Sequence, residues 1–288
     1  MKSRIAFLTV PVLAVALLAG CASDSSDSNG SNSGQTASLD DCQKGKITTY
    51  KDGVITVGTD SPAYPPYFED NDPSNGKGFE SAVAYAIADR LGFSRSAVEW
   101  TVVPFNASYA PGPKKFDFDV NQISITPARE KAVSFSIPYY TANQAVLVTK
   151  DSDIGQVSGL DELQDLTIGV QVGTTSLAAV EDQIDPSSAP KVYDNSNDVV
   201  SALKQGQVDA VVVDLPTAIY LRDVEVPNSE VAGQFKAPGG DKWGALLAKD
   251  SNLTKCVNAA LSAMKDDGTL EEITTRWMSD AASAPELN

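Results

Sequence analysis

Asp214 closes the run Val208 to Val213, which is apolar apart from Asp209 near its start. Such a run reads as a strand buried on both faces. Asp214 then stands at its C-terminal end, the edge of an open α/β sheet where ligands bind. A carboxylate there attracts a cation by about 4 kcal/mol at ~4 Å and an effective dielectric near ~20, before desolvation is counted. Capping the helix that begins at Leu215-Pro216 is a compatible second use, one oxygen serving each role. Asp60 ends an earlier strand in the same way. Thr174 and Thr175 follow Gln171-Val172-Gly173 in a strand, glycine, helix order that presents unpaired N–H groups and the positive end of a helix dipole. Helix capping by Ser176 reads equally well there. Arg129 could match a carboxylate with two parallel hydrogen bonds, as lysine cannot. On residue type alone, a surface arginine at a helix start is the commoner reading. The chain has no histidine, which excludes a His-based triad or zinc site; no metal and no cofactor are expected.

The elements that must position these groups alternate in period from Lys51 onward. Val54 to Val57 is a β-branched run, and Phe79, Val83, Ile87 and Leu91 recur at helical spacing between Gly78 and Gly92. Val98 to Val103 reads as the next strand. Asp119 to Ile125 alternates apolar and polar residues, and Pro127 suits the first turn of a helix. A second cycle predicts a strand at Leu166 to Val170, a helix at Ser176 to Ile184 and a helix face at Val199 to Leu203. Gln234 to Lys249 is strand and turn material, and two amphipathic helices follow, carried by Leu253, Val257, Leu261 and Met264, then Leu270, Ile273 and Trp277. The pattern is that of an α/β fold with mainly parallel sheets.

Lys2 and Arg4 precede an apolar stretch, Ile5 to Leu18, too short for a comfortable membrane span. It ends in Leu18-Ala19-Gly20-Cys21, the pattern of a bacterial lipoprotein signal, so cleavage and lipidation at Cys21 are expected. An ordinary secretory signal is the alternative. Ala22 to Ser38 is Ser, Asn, Asp and Gly with hardly an apolar side chain, and predicts a disordered tether. Losing residues 1–20 leaves 288 − 20 = 268 residues and moves the net charge from −16 to −18, because Lys2 and Arg4 leave. That length supports two lobes with cores of their own. The acidic balance excludes a nucleic-acid partner and a body lying flat on anionic lipid. With Cys21 lipidated, Cys42 and Cys256 form an even pair for a disulfide in an oxidising compartment; two unrelated buried thiols are the other reading.

The chain resembles the family 3 solute-binding proteins, the polar amino acid receptors of ABC importers, from about Val54 to Met278. Four blocks carry the resemblance: Val57-Gly58-Thr59-Asp60 through Pro65-Pro66-Tyr67; Gly78-Phe79-Glu80; Ser124 to Arg129 with Phe135 to Tyr139; and Gly169 to Thr175. Asp267-Gly268 with Ile273 and Trp277 fits as well. The chain departs from the family pattern at Ala82, at Asn106 to Lys115 with Pro111 and Pro113, and at Asn121-Gln122 in place of the usual Ala-Gly. The resemblance implies a type II periplasmic-binding-protein fold of two lobes, each a mainly parallel sheet flanked by helices, joined by two hinge crossovers. The boundaries expected are a signal at 1–20, a lipidated Cys and tether at 21–50, lobe one at 51–144, lobe two at 145–238, and the return to lobe one with the C-terminal helices at 239–288.

It further implies how a zwitterion would be held. Arg129 takes the α-carboxylate with Ser124 and Thr174 or Thr175, and Asp214 takes the α-ammonium. Asp60 reaches the side chain or amine. Tyr64 and Phe105 form aromatic walls around the aliphatic part, and Asn121, Gln122 and Gln171 line the side-chain pocket. The expected function is capture of a polar or basic amino acid by lobe closure. The expected partners are the free amino acid, a membrane permease and, through the lipid anchor, the membrane, with the chain a monomer on the outer face of the cytoplasmic membrane or in the periplasm. An enzyme on the same fold is the competing class, with Asp60, Glu69, Glu80 and Asp214 as candidate acid–base carboxylates. A sensor ectodomain is disfavoured because no spanning helix follows the domain.

Overall fold

A computed structural model describes residues 37–152, 154, 157–237, 239–278 and 284–287. The signal, Cys21 and most of the expected tether lie outside the described residues. Four strands open the first sheet: β1 (Ile55–Thr59), β2 (Val98–Val102), β3 (Phe118–Asp119) and β4 (Val133–Phe135). The chain then crosses through β5 (Tyr140–Ala142) into the second sheet, made of β6 (Gln144–Thr149), β7 (Ile168–Gln171), β8 (Lys191–Tyr193), β9 (Ala210–Asp214) and β10 (Ser229–Phe235). It returns through β11 (Asp241–Trp243) into β12 (Leu246–Ala248), which completes the first sheet. The orders are β2-β1-β3-β12-β4 and β10-β6-β9-β7-β8.

In each sheet four strands run one way and one runs against them. The opposed strands are β12 and β6, and each is the strand that a crossover delivers. The crossovers pair with each other, β5 antiparallel to β11, with Asp241 opposite Ala142 and Trp243 opposite Tyr140.

Helices cover the sheets because both faces of a mainly parallel sheet are apolar. Phe79–Arg90 buries Phe79, Val83 and Ile87 against Leu253–Asp266, Thr269–Met278 and the first sheet. Its start requires Gly78, at φ +94°, where a Cβ would lie 2.4 Å from the Tyr67 carbonyl oxygen. The expected helix Ser176 to Ile184 is an α-turn at Thr175–Ala179 followed by π-type turns at Val180–Ile184.

Both ends of the expected boundaries need correction. Leu39–Cys42 is a 3₁₀ turn and not tether, because Cys42 is fully buried and bonded to Cys256, while Leu39 and Ile47 pack on the first core. At the other end, residues 284–287 join the second lobe rather than the first. Gln234 donates its N–H to Pro285 O at 2.7 Å, and Leu287 N–H returns to Gln234 O at 2.8 Å. Leu287 enters the second core beside Gly233, where a Cβ would meet it at 2.5 Å. The physical cause is that β10 is an edge strand with unpaired backbone groups.

The Cys42–Cys256 bridge spans 214 residues, for which chain entropy gives about 5 kcal/mol as an upper figure. Cys256→Ser is expected to lower the thermal midpoint by well over 5 °C, at ~2–4 °C per kcal/mol for a chain of this size. In the unreduced wild type, Cys42 and Cys256 are expected to resist alkylation; thermal unfolding and intact-mass analysis check the pair.

Candidate functional site

A cavity of about 540 Å³ lies between the lobes. Its lining brings together ten of the expected side chains: Asp60, Tyr64, Phe105, Asn121, Gln122, Ser124, Gln171, Thr174, Thr175 and Asp214. Arg129 is not among them. Its guanidinium lies behind the wall, 7 % exposed, donating Nη1–H to Ser124 O at 2.7 Å and Nη2–H to Gly173 O at 2.9 Å. It stacks over the rings of Tyr109 and Phe105 at 4.7 and 5.3 Å. Burial lowers its pKa, offset by Tyr109, Asp241 and Asp214. Gly173 is tightly held at φ +73°, where a Cβ would come within 2.4 Å of Tyr109 Oη. In this conformation Arg129 therefore joins the lobes through neutral carbonyl acceptors.

Several expected roles change when the partners are read. Asp60 accepts from its neighbour Ser61 N–H at 2.7 Å and from Phe105 N–H at 3.0 Å, which fixes it at the head of Phe105–Ser108. Tyr64 and Phe105 both line the cavity, each backed by a further ring: Tyr64 faces Tyr220 at 5.9 Å, and Phe105 faces Tyr109 at 5.6 Å. Tyr64 also donates its hydroxyl to Asn197 across the cleft. Gln122, at φ +49°, donates its side-chain amide N–H to Glu80. Asn121 is 9 % exposed, and its amide nitrogen has no partner among the described residues. Gln171 accepts from Ser196 Oγ at 2.6 Å. Thr174, not Ser176, caps Thr175–Ala179, accepting from Leu177 N–H at 3.1 Å. Asp214 precedes its helix without a side-chain cap, so the shared capping role is not found.

Asp214 instead accepts from Gln144 Nε2 at 2.7 Å, and the same amide nitrogen donates to Asp241 Oδ2 at 2.6 Å. Burial, and then the neighbouring Asp241 charge, push the Asp214 carboxyl well above the ordinary range. Sequence reasoning missed Gln144, Asp241 and Tyr220. Gln144 and Tyr220 give no local signal; Asp241 directly follows Gly239-Gly240 at the head of a crossover strand, the one legible hint. Hydrogen bonds span the cleft at Tyr67–Thr217 (2.8 Å), Ser124–Thr175 (3.3 Å) and Thr175–Asp241 (2.8 Å). The cavity wall carries the carboxylates of Asp60, Asp194, Asp214 and Glu225 and, among the described residues, no lysine or arginine. Such a site favours a ligand bearing positive charge. Among the described residues no acidic or cysteine cluster suits a metal ion.

The model of the bacterial extracellular solute-binding proteins, family 3, matches residues 55–280. The L-cystine-binding protein TcyJ of Escherichia coli (strain K12) is 28 % identical over 78 % of this chain and 82 % of its own length. The glutamine-binding protein GlnH of Bacillus subtilis (strain 168), an ABC transporter protein, is 30 % identical over 97 % and 98 %. Among solved structures, an ancestral arginine-binding protein bound to glutamine superposes with a TM-score of 0.67 at 33 % identity, over 79 % of this chain and 99 % of the other. Two mainly parallel sheets, paired crossovers and a cleft between them define a type II periplasmic-binding-protein fold. The chain belongs to the family 3 extracellular solute-binding proteins.

Behind the cleft, Glu80 is fully buried and accepts from Tyr139 Oη and from the Gln122 backbone and side chain. Burial lifts its pKa from 4.5 to about 7 despite those hydrogen bonds. A carboxyl raised on folding holds its proton more tightly in the native state, so stability is greatest below the unfolded pKa and falls as pH rises toward 7. The full span corresponds to about 3 kcal/mol. Glu80→Gln is expected to flatten this part of the stability profile between about pH 4.5 and about pH 7, measured by urea unfolding.

Proposed function

We propose that this chain captures a free polar or basic amino acid by closing its two lobes, built of residues 37–144 with 239–278 and of 145–237 with 284–287, and presents it to the permease of an ABC importer. The observation that carries the reading is the charge arrangement of the cleft. A guanidinium lies behind Ser124 and Gly173, and a carboxylate faces it from the end of β9. A zwitterion seated between them meets both charges. Its carboxylate is a stronger acceptor than the two backbone carbonyls that Arg129 now holds, so an exchange of partners is favourable. The acidic wall supports a neutral or basic side chain over glutamate or aspartate. The named relatives bind cystine and glutamine, which supports an amino acid and leaves its side chain to measurement. Binding without turnover is the reading, with Cys21 lipidated to hold the protein at the outer face of the membrane.

Calorimetry against the twenty common amino acids and cystine tests this directly. Stoichiometric binding of an unchanged amino acid is expected; turnover would favour an enzyme instead. Arg129→Ala and Asp214→Ala are each expected to weaken binding by about 2–5 kcal/mol, roughly thirty- to several-thousand-fold, with circular dichroism unchanged. Amidating the ligand's carboxylate is expected to penalise the wild type but hardly the Arg129 variant, and N-acetylation to act likewise toward Asp214. Separately, Cys21→Ala is expected to abolish membrane retention, read by fractionation and labelled-lipid incorporation.

A further inference from the structure

Gln144 is the first residue of β6, just beyond the β5 crossover, and it is fully buried. Its amide nitrogen gives one hydrogen to Asp214 and one to Asp241. The amide is held in that sense, because Ser176 Oγ donates to Gln144 Oε1 at 2.6 Å. A flipped amide would turn its oxygen onto two carboxylates. Asp241 is 1 % exposed; its Oδ2 also accepts from Thr175 Oγ1, while its Oδ1 has no partner among the described residues. Two carboxylates therefore share one neutral donor, and one buried oxygen is left unsatisfied, an arrangement that calls for a further proton or cation.

The surrounding charges do not neutralise the pair. Arg129, on the turn Pro127–Glu130, attracts both carboxylates, yet it donates to the carbonyls of Ser124 and Gly173. Tyr67 and Tyr140 face Asp214 as neutral phenols, their ionisation pushed upward by burial and by that carboxylate. Lys242, next to Asp241, is exposed and, by strand alternation, points to the other face.

We infer that Asp241 is a second carboxylate of the ammonium subsite, and that Asp241 and Asp214 share one proton, released to solvent when the ammonium of an amino acid seats against them. The inference rests on the reading of Asp214 given above and extends it to the hinge. The exchange balances: the singly protonated pair and a cationic ammonium give a doubly charged pair, the bound ammonium and one free proton. Binding then tightens with pH, by up to about tenfold per unit, from the ordinary carboxylate range to the raised value of the pair, and levels off above it. The elevation of Asp214 by burial and by the Asp241 charge agrees in sign.

The test is calorimetry with L-glutamine and with L-arginine at about pH 6, in two buffers of different protonation enthalpy, repeated to about pH 8. The wild type is expected to release about half to one proton per bound amino acid. Asp241→Asn is expected to release almost none and to lose the pH slope of affinity. A merely structural role for Asp241 would weaken binding by the same factor at every pH and leave the proton count intact. Saturable binding without proton release by the wild type, or with the same release by Asp241→Asn, overturns the inference and spares the reading of Asp214. If neither amino acid binds, that reading and the ammonium subsite both fall. Infrared titration of the protein alone then judges the shared proton. Glu80 and Asp119 keep carboxylic-acid absorbance of their own, so the difference from wild type is read: loss of one carboxylic-acid component above the ordinary carboxylate range in both Asp214→Asn and Asp241→Asn sustains it. A band unchanged in either variant refutes it.

Discussion

The short antiparallel ladder of β5 against β11 fixes where every cleft residue can be. Asp241, Lys242 and Trp243 pair with Ala142, Thr141 and Tyr140, and the ladder is zipped to the first lobe as well. Ile125 N–H reaches Lys242 O at 2.8 Å, and Tyr139 N–H reaches Trp243 O at 2.9 Å. The Trp243 ring is fully buried, 4.8 Å from Tyr140 and 5.6 Å from Tyr67. Two residues past Ala142 the chain supplies Gln144, and the return strand opens with Asp241. The pivot and the polar centre of the cleft are thus the same piece of backbone. Gln144 and Asp241 are therefore held by the segment that joins the two sheets rather than by either sheet alone.

Around that pivot the fold buries more carboxyl groups than its nearby cations can neutralise. Asp119 is fully buried beside Gly58, where a Cβ would meet its Oδ2 at 2.5 Å, and neither oxygen has a partner among the described residues. Burial, with Glu80 and Asp60 nearby, raises its pKa well above the ordinary carboxylate value. An unpaired buried charge is far costlier than an unpaired neutral acid, so the chemistry favours protonation there. Glu80 takes the other course and collects three hydrogen bonds, yet desolvation still outweighs them. Burial thus lifts the carboxyls of Asp119, Glu80 and Asp214 above the ordinary carboxylate range.

Arg129 is the counterweight. It lies over the rings of Tyr109 and Phe105 and reaches a carbonyl in each lobe. Guanidinium is weakly hydrated and planar, so it tolerates this burial better than an ammonium would. Its Nη2–H bond to Gly173 O crosses the cleft, as does the bond from Thr175 to Asp241. The loop 172–175 thus holds both Arg129 and Asp241 of the first lobe.

The sequence by itself determined the α/β alternation, the C-terminal helices, Asp60 and Asp214 at strand ends and the Thr174–Thr175 turn, because these follow from local period and from turn chemistry. Gly78 and Gly173 were legible as punctuation, though not the close approaches that demand them. The bridge between Cys42 and Cys256 followed from parity and compartment. The tertiary structure alone decided the rest. Tyr220 faces Tyr64, Gln122 turns to Glu80, residues 284–287 seal the edge of β10, and Gln144 joins Asp214 to Asp241. These pairs are 156, 42, about 50, 70 and 97 residues apart in sequence. No periodic pattern reports such distances, because side-chain partnership across a cleft is set by how two separately folded sheets are held together, and the residues of each carry only the signature of their own element.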